Sequence, residues 1–160
     1  MSLFAYVHCN CFENGTLNEP PPERVTVSME GAIEPRDATL DRMLRFDRWR
    51  IERACRHKEM MLAQYELGCN AAVRAIRAEL ARYDDAFEYL LEHVLTSDWR
   101  RLKPIPPLEV VDGRLREEVA LLQHIRPARA EIGPLLHCFG DHMQRLIDAA
   151  LSTGKPIVIV

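Results

Sequence analysis

The rhythm of apolar positions divides the chain in two. Residues 3–9, Leu-Phe-Ala-Tyr-Val-His-Cys, are dense in aromatic and β-branched side chains, the composition of a strand. Asn14-Gly15 then marks a turn. Pro20-Pro21-Pro22 holds the chain extended, because proline fixes φ and offers no amide donor. Val25-Thr26-Val27 alternates and predicts a second short strand.

From Asp37 onward helical spacing takes over. It predicts a helix over 39–57 capped by Asp37 or Thr39, whose side-chain oxygens suit the free first-turn amides. A separate short helix is expected over 58–67, stopped by Gly68. Asn70 suits the cap of a helix to Tyr83 with Val73, Ile76 and Leu80 on one stripe. Another starts at Asp84 or Asp85 and runs to Thr96, with Phe87, Leu90, Leu91, Val94 and Leu95 inward.

Pro104, Pro106 and Pro107 form a rigid connector within one domain. Leu108-Glu-Val-Val111 predicts a further short strand before the Asp112-Gly113 turn, and Glu117 to Ile125 a helix ended by Pro127. The last helix has Pro134 in its first turn and Gly154 at its far end, with Leu135, Leu136, Phe139, Met143, Leu146 and Ile147 as its stripe. The sequence then runs Pro-Ile-Val-Ile-Val, an apolar, largely β-branched run that needs cover on both faces. Left on an exposed edge it would invite aggregation. It is expected to pair with the N-terminal strand, or with the same strand of a second copy in a homodimer. The fold class that follows is α+β: a mostly helical single domain over 1–160, with a small sheet formed by N- and C-terminal strands and with 25–29 and 108–111 as further members.

The composition agrees. A chain of 160 residues with 48% apolar and 28% charged side chains can bury a core unaided. Net charge is −3, which gives no overall attraction to nucleic acid. The charge is uneven: −4 over residues 1–38, +4 over 39–82 and −3 over 83–160. Any polyanion site belongs in the middle third. Residues 1–12 lack the basic start and long apolar run of an export signal, and no stretch is long and apolar enough to span a membrane. Five cysteines in that setting point to a reducing, cytoplasmic compartment with free or metal-bound thiols.

Those cysteines keep company with histidines. His8, Cys9 and Cys11 form one cluster, Cys55 and His57 a second, and His137, Cys138 and His142 a third. Zinc takes about four nitrogen or sulfur ligands in a tetrahedron. Cys9 and Cys11, two apart on a strand, would share a face, and Cys55 and His57 fall at a helix end where the chain can bend to present both. One zinc site from Cys9, Cys11, Cys55 and His57 is therefore a candidate. The plainer alternative is that these thiols fill core space, as free cysteines usually do. Cys55 is also the best candidate for a reactive thiolate, since Arg53, Arg56, His57 and Lys58 surround it in sequence. There is no Gly-rich phosphate loop, Gly-x-Ser-x-Gly elbow or His-Glu-x-x-His, so no catalytic residue is assigned.

The helix over 39–57 carries two patterns. At 100° per residue, Leu40, Met43, Leu44, Ile51, Ala54 and Cys55 share a stripe expected to face inward, with Asp47 in its middle. Asp47 there needs a salt bridge to an arginine of another helix, or serves as a pocket acid or metal ligand. The opposite face sets Arg42, Arg45, Arg53 and Arg56 around Phe46 and Trp49. Arginine stacked on aromatic rings can hold an anion, a base or an acidic partner. Alternatively the two aromatics are core and the arginines snorkel outward. In the last helix His137/Asp141 and Cys138/His142 are i,i+4 pairs.

Tyr6-Val7-His8-Cys9-Asn10-Cys11-Phe12, the triple proline at 20–22, and Phe46-Asp-Arg-Trp49 leading to Ala54-Cys55-Arg-His57-Lys-Glu-Met60 resemble a family of small, uncharacterised bacterial cytosolic proteins. The resemblance covers roughly the first seventy residues. Members are similar to the immunity partners of polymorphic toxins, which implies a protein partner and carries over no catalytic residue. The first expectation is a non-catalytic cytoplasmic binding protein without a cofactor. The second is a metal- or thiol-dependent protein with zinc on Cys9, Cys11, Cys55 and His57. The third is an anion or nucleic-acid binder using the arginine face, against which the net charge counts.

Overall fold

The computed structural model describes residues 2–37, 39–96 and 104–160. It is α+β. A three-stranded antiparallel sheet has the order β4-β1-β5, with β1 over Ser2–His8, β4 over Met61–Cys69 and β5 over Val158–Ile159. Both ends of the chain thus meet in one sheet: Ala5 pairs with Ile159 and Tyr6 with Val158. Phe4 and Val160 exchange both backbone hydrogen bonds, at 2.8 and 2.9 Å. The segment at 25–29 does not join this sheet. Val25–Val27 (β2) pairs with Ile33–Pro35 (β3) in a two-stranded sheet of its own.

Helices cover one face of the sheet. α2 runs over Asn70–Leu80, α3 over Asp84–Tyr89, α5 over Arg114–Leu122 and α6 over Ile132–Thr153. α6 is the organising helix. Leu136, Phe139, Met143, Leu146, Ile147 and Ala150 recur at helical spacing and are all buried against the sheet and α5, while Leu135 lies at the margin of the stripe. Gly154 ends it at φ 69°, a left-handed conformation that glycine takes at little cost, and its amide donates to Ala150 O. The helix expected from Asp84 to Thr96 breaks at Phe87 and continues as a π-turn over Leu90–Val94, with Glu118 accepting the Leu90 amide at 3.0 Å.

Three further sequence expectations change. Residues 58–67 are not a helix: after a 3₁₀ turn at Lys58–Met60 the chain becomes β4. Met, Leu, Ala, Gln and Glu favour helix, but Ala63, Tyr65 and Leu67 turn inward while Leu62, Gln64 and Glu66 turn outward, and pairing with β1 decides the outcome. Residues 108–111 are not a strand either. Pro107 starts a short helix, α4 (Pro107–Val111), as proline does at the first helical position, and the strand contact comes instead from Ile105, which bridges Ile157.

The third change concerns α1, which covers Leu40–Glu52 rather than 39–57; Thr39 precedes it without a side-chain cap. Its faces are reversed. Phe46 and Trp49 are the buried pair, whereas Leu40 (75% exposed), Met43 (43%), Leu44 (61%) and Ile51 (50%) face outward. Each ring buries more apolar surface than any one of the aliphatic side chains, and the Trp49 indole N–H finds an acceptor in Glu19 O at 3.0 Å. Phe46 and Trp49, tilted by 43° with ring centroids 5.3 Å apart, join Cys9, Cys11, Ile33, Ala54 and Met60 in a second, smaller core apart from the main one.

Leu146→Ala, at a fully buried position, is expected to lower the unfolding free energy by about 2–5 kcal/mol in urea titration. Leu44→Ala should shift it by no more than about 0.5 kcal/mol; a large loss there would place the apolar stripe inside. His8 is buried at the end of β1. Burial, then the nearby Lys155 and Arg50, lower its pKa from 6.5 to about 4. The folded state keeps the imidazole neutral while the unfolded chain takes up a proton below pH 6.5. Stability is therefore full above that pH and falls as pH drops toward 4, by roughly 3 kcal/mol in total. Urea titrations with chelator present should show this slope flattened in His8→Gln.

Candidate metal centre

The end of β1 and the turn into β4 build one site. The β1–β4 ladder runs out at the pair His8–Met61, and the Cys9 amide extends it by donating to Met60 O at 2.9 Å. Cys9 is thereby fixed against the turn that follows α1. Cys11 is not on the strand. It lies in a tight turn in which the amides of Asn14 and Thr16 donate to the carbonyls of Asn10 and Cys11. The other half of the site leaves α1: the Arg53 and Ala54 amides both donate to Trp49 O, ending the helix, and Ala54 O accepts from the Asn18 amide at 2.8 Å. Cys55 and His57 follow on this knuckle. Glu59 and Met60 then take left-handed φ of 53° and 58°, unusual for residues with a Cβ, to reverse the chain into β4.

Four ligand atoms converge. Cys9 Sγ lies 3.8 Å from Cys55 Sγ, Cys11 Sγ 3.2 Å from His57 Nδ1 and Cys55 Sγ 3.7 Å from the same nitrogen. All four donors lie within 4.8 Å of one another. Sulfurs 2.3 Å from a tetrahedral zinc stand about 3.8 Å apart, and sulfur and imidazole nitrogen about 3.6 Å. The three separations above match those values to within a few tenths of an ångström, and the group of four could hold a metal ion. None of the five cysteines is in a disulfide.

The surroundings fix this geometry. Lys155, 8% exposed, reaches in from beyond α6 and donates to Cys9 O at 2.8 Å and to Gly31 O at 3.1 Å. Its charge is met by Glu13 at 2.7 Å. Trp49 closes the underside, its indole N–H donating to Glu19 O. An open cleft of about 490 Å³ adjoins Cys11 and His57, with Asn14, Asn18 and Arg56 on its wall.

Without a cation the Cys9 and Cys55 thiols stay protonated at neutral pH. Burial pushes Cys9 up to about 12 and raises Cys55, and burial followed by the Arg56 charge lowers His57. The basic neighbours of Cys55 in sequence thus do not make it a thiolate. A dication reverses the balance, since thiolate ligands give up their protons to it.

The other sequence candidates fall outside the four-ligand cluster. Asp47 is half-exposed and pairs with Arg50 of its own helix at 3.5 Å, not with another helix. Arg42 is held by Asp37 at 2.7 Å and Glu23 at 3.9 Å, Arg45 by Glu23 and Asp41, and Arg53 by Glu19. Phe46 and Trp49 lie in the core, so their faces are not offered for stacking. In α6, Asp141 pairs with Arg145, and Cys138 lies 3.8 Å from His142 on an exposed face. Sequence reasoning missed Cys69. It sits at the N-terminus of α2, where the Ala72 and Ala71 amides lower its thiol pKa. The signal was present, since a helix opening at Asn70 places Cys69 at its cap.

Against known proteins the chain matches no family model, no curated protein and no solved structure. The reading of the site therefore rests on its geometry. Alkylation by a maleimide at neutral pH, mapped by mass spectrometry, should modify Cys69 first. Within the cluster Cys55, the most exposed of its three thiols, should be slowed by added zinc and released by a chelator, while Cys138 reacts alike in both states.

Proposed function

We propose that the protein binds one zinc ion through Cys9, Cys11, Cys55 and His57, and that it acts by binding a protein partner rather than by turnover. The observation that carries the metal is the convergence of three cysteine sulfurs and one imidazole nitrogen within 4.8 Å of one another. Three thiolates and an imidazole suit zinc and disfavour magnesium or calcium. Four protein ligands fill a tetrahedral shell, the pattern of a structural ion, whereas catalytic zinc keeps a position open for water or substrate. The ion would pin the end of β1 to the knuckle after α1.

The residues of the family resemblance support the same unit. Cys9, Cys11, Phe46, Trp49, Ala54 and Met60 form the second core, and Phe12 and Cys55 pack against it. An immunity-type, cytosolic role is the reading this resemblance suggests, and reduced thiols accord with it. Among the described residues no helix is long and apolar enough to cross a membrane. The exposed apolar face of α1 favours a protein surface as the partner.

Native mass spectrometry of untagged, freshly purified protein should show one zinc per chain, lost in both Cys9→Ser and Cys55→Ser and kept in Asp47→Asn. Metal-free wild-type protein that takes up no added zinc would sink the proposal and leave the thiols as core residues.

A further inference from the structure

α1 is apolar on two faces, and the chain itself covers only one of them. Leu44 and Ile51 stand two turns apart on the outer face, both at least half exposed. Between them lie Asp47 and Arg48. Asp47 has only the neighbouring Arg50 at 3.5 Å, and Arg48 is exposed with no ion pair among the described residues. From residue 44 to residue 51, beyond the exposed Leu40 and Met43, the outer face therefore reads apolar, acidic, basic, apolar.

We propose that this face docks against the same face of a second copy of the chain, the two α1 helices antiparallel about a twofold axis between Asp47 and Arg48. That axis sets Leu44 against Ile51 of the other copy, and Asp47 against Arg48 of the other copy, each pair occurring twice. The pattern is its own complement when reversed, which is what a twofold interface requires of one surface. A parallel pairing would oppose acid to acid and base to base, and is disfavoured by that repulsion. An acidic or a basic foreign segment could satisfy only one of the two charges. A helix of this length, about 20 Å, gives a contact at the small end of specific interfaces, so the dimer is reversible. It leaves β5 out: Ile105 and Ile157 exchange backbone hydrogen bonds at 2.8 and 3.0 Å, which already occupies part of that strand's outer edge.

Sedimentation velocity of the full chain over a concentration series tests this. Wild-type protein should pass from monomer to dimer. Asp47→Arg and Arg48→Asp should each weaken dimerisation at least ~10-fold, and the double exchange should return it to within ~3-fold of wild type. Leu44→Glu should leave only monomer. All three substituted positions are on the surface, and an unchanged circular dichroism melt confirms that folding is intact. Wild-type protein that stays monomeric up to roughly 1 mM overturns the proposal and assigns the face to a foreign partner. A dimer indifferent to these variants overturns it too and places the interface elsewhere, with β5 next to test. Loss in the single variants without recovery in the double exchange rules out the twofold geometry.

Discussion

The pairing of β1 with β4 is the contact on which the rest depends. It joins segments some sixty residues apart, and every other arrangement follows from where it stops. Had the ladder run one pair further, Cys9 would have been drawn into regular strand and its sulfur directed by the pleat alone. Instead it gives way at His8 to an irregular turn on one strand and a left-handed reversal on the other. The two irregular ends face each other, and the four donors lie on them. A regular sheet cannot bring four short side chains to one point; the end of a sheet can.

The second core explains why this end holds its shape. Phe46 and Trp49 sit beneath it, Met60 fills the turn, and Lys155 ties Cys9 to the loop at Gly31. Lys155 costs desolvation when buried, and its two carbonyl acceptors with the Glu13 carboxylate offset that cost. The four clustered donors are thus set on the end of β1, the turn after it and the knuckle after α1, with Lys155 bracing Cys9.

Much of this was legible in the sequence, for identifiable reasons. The terminal strands show in their aromatic and β-branched content, and α6 in its proline and glycine punctuation, because those are local preferences. β4 was not legible: its side chains prefer helix, and only a distant partner makes them a strand. The faces of α1 were both visible as periodic stripes, but periodicity cannot say which is buried when both are apolar. The four residues of the cluster could be named from spacing although Cys11 is not on β1 as that reasoning supposed. A tight turn delivers its sulfur to the place a strand would have. Burial, which spacing does not report, is what cancels the basic surroundings of Cys55.

The contact between Gly31 and Lys155 has an evolutionary reading. A Cβ on residue 31 would lie 2.7 Å from the lysine's Cδ, and the backbone there has φ of 81°. Position 31 is therefore constrained from two sides, by its own dihedral and by the aliphatic stem of a residue 124 positions away. Asparagine relieves the first constraint but not the second. Among related chains the two positions should drift as a pair: a side chain at 31 is tolerated where 155 has become short, and a lysine at 155 keeps glycine opposite it.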